Sequence, residues 1–245
     1  MPRRVIGLDL VGRAADARGV SRLTPLGDGL WVVAAPFSLF GMRIGTRMTL
    51  VRLEDGSLVL HSAVPIDDAL AEEIDALGPV RHVIAPNAFH HLFAQPALDR
   101  WPAARSWAAP GLEKKRRDLR IDARFDEDAA LPFSRELEPL TIRGSKLGET
   151  VLLHRRTGTI VSSDLTENFV SSDHLPTRLY LKASGVYGQP GWSRLLRWLY
   201  DDRKRARASI ERLLRWDFDR VVLAHGEPLT SGGRAAIDQT FRFLG

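Results

Sequence analysis

The chain contains no cysteine among its 245 residues. Disulfides, thiolate zinc sites and cysteine nucleophiles are thereby excluded, and the compartment is left open on that ground alone. No apolar run approaches the roughly 18 residues that would suggest a membrane span. The opening stretch, Met1-Pro2-Arg3-Arg4-Val5-Ile6-Gly7, has too short an apolar core to read as a signal peptide, so a cytoplasmic location is the expectation. No short-period repeat is visible, and no linker divides the chain. Charge of one sign is in small excess: the net charge is +5 and the pI is near 9.9. That balance permits an anionic partner without demanding one. The rest of the composition, 44% hydrophobic and 27% charged, is that of an ordinary soluble globular chain.

The apolar pattern divides the chain into two halves of similar grammar. Residues 1–28 read as an N-terminal arm or edge segment, and residues 29–245 as a single domain. Leu30–Ala35, Met48–Leu53 and Leu58–His61 predict strands, with Glu54-Asp55-Gly56 as a turn. Pro65–Leu77 predicts the first helix, because Ile66, Leu70 and Ile74 share a face and Gly78 stops it. Val80–Ala85 is the next strand. His90–Leu98 reads as partly helical, with Pro96 as a kink or early stop. Ala104–Ala108, Leu140–Ile142, Thr150–His154, Thr159–Ser162 and Arg220–Ala224 are further strands. Trp192–Trp216 reads as the longest helical stretch and Gly233–Phe243 as the closing helix. Strands, helix, strand and helix, twice over, imply an α/β (α+β) architecture: two sheets face to face with helices outside, a four-layer αββα sandwich.

Three predicted strands end on side chains that can bind metal. Val80–Ala85 runs into Pro86-Asn87-Ala88-Phe89-His90-His91. Thr159–Ser162 runs into Ser163-Asp164. Arg220–Ala224 runs into His225-Gly226. Ligands in open α/β sheets gather where strands end, and imidazole is the commonest protein ligand for transition metals. Each residue also has a plainer reading. His90 could cap or pack a helix, Asp164 could cap Leu165–Phe169, and His225 could be a loop histidine. Asn87 reads as a turn former. His61, at the end of its strand, reads as an edge or core histidine and is set aside, as are His82, His154 and His174.

These three stretches resemble the metallo-β-lactamase fold superfamily. Pro86-Asn87-Ala88-Phe89-His90-His91 stands where that superfamily usually shows H-x-H-x-D-H. The hairpin through Arg155-Arg156-Thr157-Gly158 ends at Asp164, which matches the bridging aspartate, and His225-Gly226 matches the last histidine motif. With the Trp216-Asp217-Phe218-Asp219-Arg220 stretch, the chain looks like an uncharacterised branch of the superfamily. The departures are concentrated. Pro86 and Ala88 replace the first two histidines, and Ser145 stands where the family's central P-G-H-T-like turn has its own. The resemblance therefore implies loss of one metal site and survival of the other, with His90, His91, Asp164 and His225 as its ligands.

Three imidazoles and one carboxylate suit one divalent ion: zinc, or alternatively iron or manganese. Four protein ligands would saturate tetrahedral zinc, so a catalytic reading needs expansion to five or six ligands or has His90 stand back as base, with activated water as nucleophile. The leading expectation is a metal-dependent hydrolase of a small-molecule ester, amide, lactone, thioester or phosphoester. The alternatives are a non-catalytic binding module descended from the fold, and a mononuclear iron oxidoreductase. Lys114-Lys115-Arg116-Arg117 and Arg203–Arg207 are interleaved with acidic residues and read as solvated faces. Nucleic acid is therefore not an expected partner.

Overall fold

A computed structural model describes residues 19–125 and 131–245; the expectation of an N-terminal arm falls for residues 1–18 outside them. Strands β1 (Thr24–Gly27) and β2 (Leu30–Ala35) pair antiparallel, so the end of the expected arm is an edge strand. A separate hairpin follows, β3 (Ser38–Leu39) with β4 (Met42–Arg43). β5 (Thr46–Arg52) returns beside β2, and β6 (Leu58–His61) lies beside β5. From β6 the sheet continues in parallel through β7 (Val80–Ala85), β8 (Arg105–Ala108) and β9 (Ala123–Arg124). Among the described residues the result is a seven-stranded sheet. In the second sheet, β10 (Leu137–Thr141), β11 (Thr150–His154) and β12 (Thr159–Val161) are antiparallel, and β13 (Arg220–Val222) is parallel to β12.

The side-chain alternation of the strands builds the layers. Leu58 and Leu60 of β6, with Val83 and Ala85 of β7, face the helices α1 (Asp68–Leu77) and α2 (Ala94–Arg100). Val59 and Ile84, between them, face the other way and meet Leu152 and Val161 of the second sheet. Val151, Leu153 and Ile160 turn outward again. They pack under α5 (Arg203–Leu213) and α6 (Gly233–Phe241), which follow a short α3 (Leu112–Lys115) and α4 (Leu175–Ser184) in the chain. Strands buried on both faces read as unbroken apolar runs rather than alternating ones, and helix, sheet, sheet and helix make the four-layer sandwich.

Three helical expectations shift for local reasons. α1 begins at Asp68, not Pro65, because the Asp67 side chain accepts from Leu70 N (2.7 Å) and caps it there. Pro96 does not kink α2, since it lies in the first turn, where no backbone N–H is required. Trp192–Trp216 is not one helix. A 3₁₀ segment, Arg194–Leu199, is separated from α5 by Tyr200–Asp202, and Asp202 caps the second piece by accepting from Arg205 N (3.1 Å). α4 had signals in the sequence that the apolar pattern overrode: a proline in its first turn and Gly185 at its end.

Two histidines outside the strand-end group are held neutral by the packing. Trp107 Nε1 donates to His82 Nδ1 (3.1 Å), and His154 Nδ1 bonds Thr157 Oγ1 (2.7 Å). Burial lowers each from 6.5 to about 4. The unfolded chain takes up these protons below about pH 6.5 and the folded chain only near 4, so stability is expected to fall as pH drops through that window. Urea midpoints across the window check this. His82→Phe is expected to make that decline shallower; a wild-type midpoint insensitive to pH across the window would contradict the account.

Candidate metal centre

In the first sheet β6 runs parallel to β7, and in the second β12 runs parallel to β13. Their C-terminal ends therefore lie together, and the loops that leave them converge. The sheets are joined there by backbone: Thr150 N donates to Pro86 O (2.8 Å) and Ala88 N to Leu147 O (3.0 Å). Pro86 and Ala88, which replace histidines of the resembled family, thus stitch the layers and bring no imidazole. Ser145, the third replacement, accepts from Leu147 N through its hydroxyl (3.2 Å).

Asn87 sets the geometry. Its Oδ1 accepts from Phe89 N and His90 N, both at 2.8 Å, which turns the chain so that His90 faces inward. Its Nδ2 donates to Asp164 Oδ2 (2.8 Å) and Glu149 Oε2 (3.2 Å). One buried amide therefore fixes two of the predicted ligands at once. Glu149 in turn accepts from Ser163 N (2.7 Å) and Asp164 N (2.8 Å), locking the loop after β12.

Among the described residues, one group of metal-competent side chains meets: His90, Asp164 and His225. His90 Nε2 is 3.2 Å from His225 Nε2 and 3.3 Å from Asp164 Oδ1, and His225 Nε2 is 3.3 Å from the same oxygen. Donor atoms about 2.1 Å from one ion in a tetrahedral arrangement are about 3.4 Å apart, so this triangle has the size of one tetrahedral face. The other ring nitrogens are already committed. His225 Nδ1 bonds Gly45 O (2.8 Å), which can only accept, so Nδ1 carries the hydrogen and a neutral ring offers Nε2 as a lone pair. His90 Nδ1 bonds Ser62 Oγ (2.8 Å). Ser62 sits at the end of β6 with φ +59°, a left-handed conformation that costs energy in a residue other than glycine.

The electrostatics fit a cation. Burial opposes ionisation of Asp164, but His90 and the hydrogen bonds from both imidazoles outweigh it and hold the carboxyl well below its ordinary range. Burial likewise opposes protonation of His225, but the Asp164 hydrogen bond and charge outweigh it and raise its pKa. Two more carboxyls adjoin the group. Burial and the Asp164 charge push Glu149 up to about 8, and burial pushes Glu167 up to about 7. Side-chain exposures of 9% for His90 and 7% for Asp164 and His225 leave a narrow approach from solvent.

His91 is not brought to this group. Arg116 Nη1 donates to its Nδ1 (2.7 Å), and burial, then Lys115 and Arg116, lower it to about 4. His90 and His91 lie in the turn between β7 and α2, and of the two only His90 meets Asp164 and His225. The first basic run is partly explained here: Arg116 also pairs with Asp118 (2.7 Å), and Lys115 Nζ donates to Ala88 O (2.6 Å). In the second run, Arg205 pairs with Asp202 and Arg207 with Glu211.

The sequence reading had no signal for Ser62, Glu149, Glu167 or Arg47. Arg47 Nη1 donates to Leu223 O and Gly226 O, both at 2.7 Å, and so holds the loop that carries His225. Gly226 itself has φ +85°, and a Cβ there would lie 2.1 Å from Asn168 O. That close approach lets Asn168 N reach His225 O (3.1 Å) and Glu227 N reach Asn168 O (2.8 Å).

The two stacked sheets with a centre at their shared strand ends are those of the metallo-β-lactamase fold. The chain is similar to a metallo-β-lactamase from Erythrobacter litoralis (16% identity, TM-score 0.64, 92% of this chain and 98% of that one). It is similar also to one from Pontibacter korlensis (14%, 0.62, 92% and 98%). A third is the metallo-β-lactamase FIM-1 from Pseudomonas aeruginosa in its mono-zinc form (14%, 0.61, 92% and 94%). At such identities the likeness is one of fold. No curated protein matches the chain. Residues 27–177 match the model of a domain of unknown function, DUF4336, and the chain belongs to that family.

Gly226→Ala is expected to destabilise the chain by about 1–3 kcal/mol, since it combines a left-handed backbone with a clash. It should also displace His225. Denaturant unfolding measures the first effect; wild-type stability in the variant would refute the claimed close approach.

Proposed function

We propose that the chain is a metal-dependent hydrolase whose single ion is held by His90, Asp164 and His225. The observation that carries this reading is the triangle of two Nε2 atoms and one Oδ1 at 3.2–3.3 Å. Three lone pairs this close, in a buried setting, repel one another unless a proton or a cation lies among them. With His91 turned to Arg116, the centre has three protein ligands rather than four, and a position stays open for solvent or substrate. His90 is read here as a ligand, not a base, because its Nε2 is as close to His225 as to Asp164. A bound divalent ion would supply Lewis acidity and activate water near neutral pH. The protein's own part is to fix the three donors, through Asn87, Ser62 and the Gly45 carbonyl, and to shield them from bulk water. FIM-1, similar to this chain in fold, has a structure in a mono-zinc form, which supports a one-ion reading. Zinc is the first choice of metal, and a small-molecule ester, amide, thioester or phosphoester the class of substrate.

The same donor set supports a second reading. Two imidazoles and one carboxylate with open positions are also the ligands of mononuclear ferrous enzymes that use oxygen. Oxygen uptake by the iron-loaded protein would favour that chemistry over hydrolysis.

Metal analysis of untagged protein separates these ideas. One equivalent is expected in the wild type and in His91→Ala, and none in His90→Ala or His225→Ala. Turnover of a panel of chromogenic esters and phosphoesters should vanish with chelator and return with zinc. Loss of metal in His91→Ala with retention in His90→Ala would reverse the assignment; turnover indifferent to chelation would end the hydrolase reading.

A further inference from the structure

One histidine beside the centre is left unexplained by the fold. His61 closes β6 and precedes Ser62, the residue that bonds His90. It is wholly buried, at 0% exposure, and neither ring nitrogen has a hydrogen-bond partner among the described residues. The Thr150 backbone is near enough to favour the protonated ring slightly, but not in hydrogen-bonding geometry. Register places His61 opposite Ile84 of β7 and Thr49 of β5, on the inter-sheet face that Val59 shares. His90, which Ser62 bonds, is the titratable side chain whose charge acts on it.

Burying an unpaired polar group costs on the order of 1–3 kcal/mol, whereas an apolar side chain of the same shape costs nothing of the kind. As a packing element His61 is therefore a poor choice. Orphaned buried donors and acceptors point to a water or ion that serves them. A neutral imidazole has one donor and one acceptor, which matches a water and does not match a bare cation on both sides. Among the described residues the triangle His90–Asp164–His225 does not include His61, so direct ligation is not the geometry found.

We infer that His61 is a positioning residue of the metal centre, linked to the His90 side of it by an ordered water. The inference rests on the proposed metal reading and adds to it a residue outside the ligand triangle. Partners behind the ligands commonly change metal affinity by about 10–100-fold when removed. A merely structural histidine would behave differently. Replacing it by a ring of similar shape would remove two unsatisfied atoms, raise stability and leave the metal untouched.

The test measures zinc affinity by chelator competition and the visible spectrum of the cobalt-loaded full chain, beside thermal unfolding of the metal-free chain. His61→Phe is the first variant; His61→Leu serves if the phenyl ring overpacks. His61→Gln keeps a donor and an acceptor. Expected is a loss of about tenfold or more in zinc affinity and an altered cobalt spectrum in the apolar variants, with metal-free stability unchanged or raised. His61→Gln should recover most of the affinity. Wild-type affinity and spectrum in a folded apolar variant would overturn the inference while leaving the metal centre standing, and so would equal losses in all three variants. A wild-type chain that binds neither zinc nor cobalt would overturn the centre itself, and His61 with it.

Discussion

A buried carboxylate that faces two imidazole nitrogens at hydrogen-bond distance has to be answered by positive charge. That requirement governs the functional edge of this molecule. Burial opposes the charge of Asp164, and His90 and His225 outweigh that burial. The outer nitrogens of both rings are tied back to Ser62 and Gly45, so the inner nitrogens are left to point at one place. Remove the cation or proton among them, and the same contacts become repulsive.

Most of the surrounding structure can be understood as holding that arrangement rigid. The two parallel strand pairs put four strand ends on one edge, and the inter-sheet core of Val59, Ile84, Leu152 and Val161 keeps the sheets in register below it. Asn87 spans the gap, turning His90 inward with its carbonyl and fixing Asp164 with its amide. Arg47 ties the third loop by its carbonyls. A left-handed Ser62 and a Gly226 pressed against Asn168 are local costs carried by the well-packed layers beneath.

The layers were legible in the sequence because strands buried on both faces leave continuous apolar runs, and Val80–Ala85 and Thr150–His154 were found at their true bounds. Helix ends were less legible, since Asp67 and Asp202 decide them by single hydrogen bonds that no apolar period records. The approximate location of the centre could be read from three strand ends. The exclusion of His91 from it could not. Whether His90 or His91 faces inward depends on the turn set by Asn87 and on Arg116, which lies 25 residues away in the chain. Ser62, Glu149 and His61 carry no motif; only the fold places them beside His90 and Asp164.

X-ray absorption at the zinc edge of the reconstituted protein tests the central claim most directly. Two imidazoles and one carboxylate around a single ion should give four or five N/O scatterers at roughly 2.0–2.1 Å, with outer-shell scattering from two rings that falls to one in His225→Ala. A spectrum without imidazole scattering, or one unchanged by removing His225, would contradict the claim that His90, Asp164 and His225 share an ion.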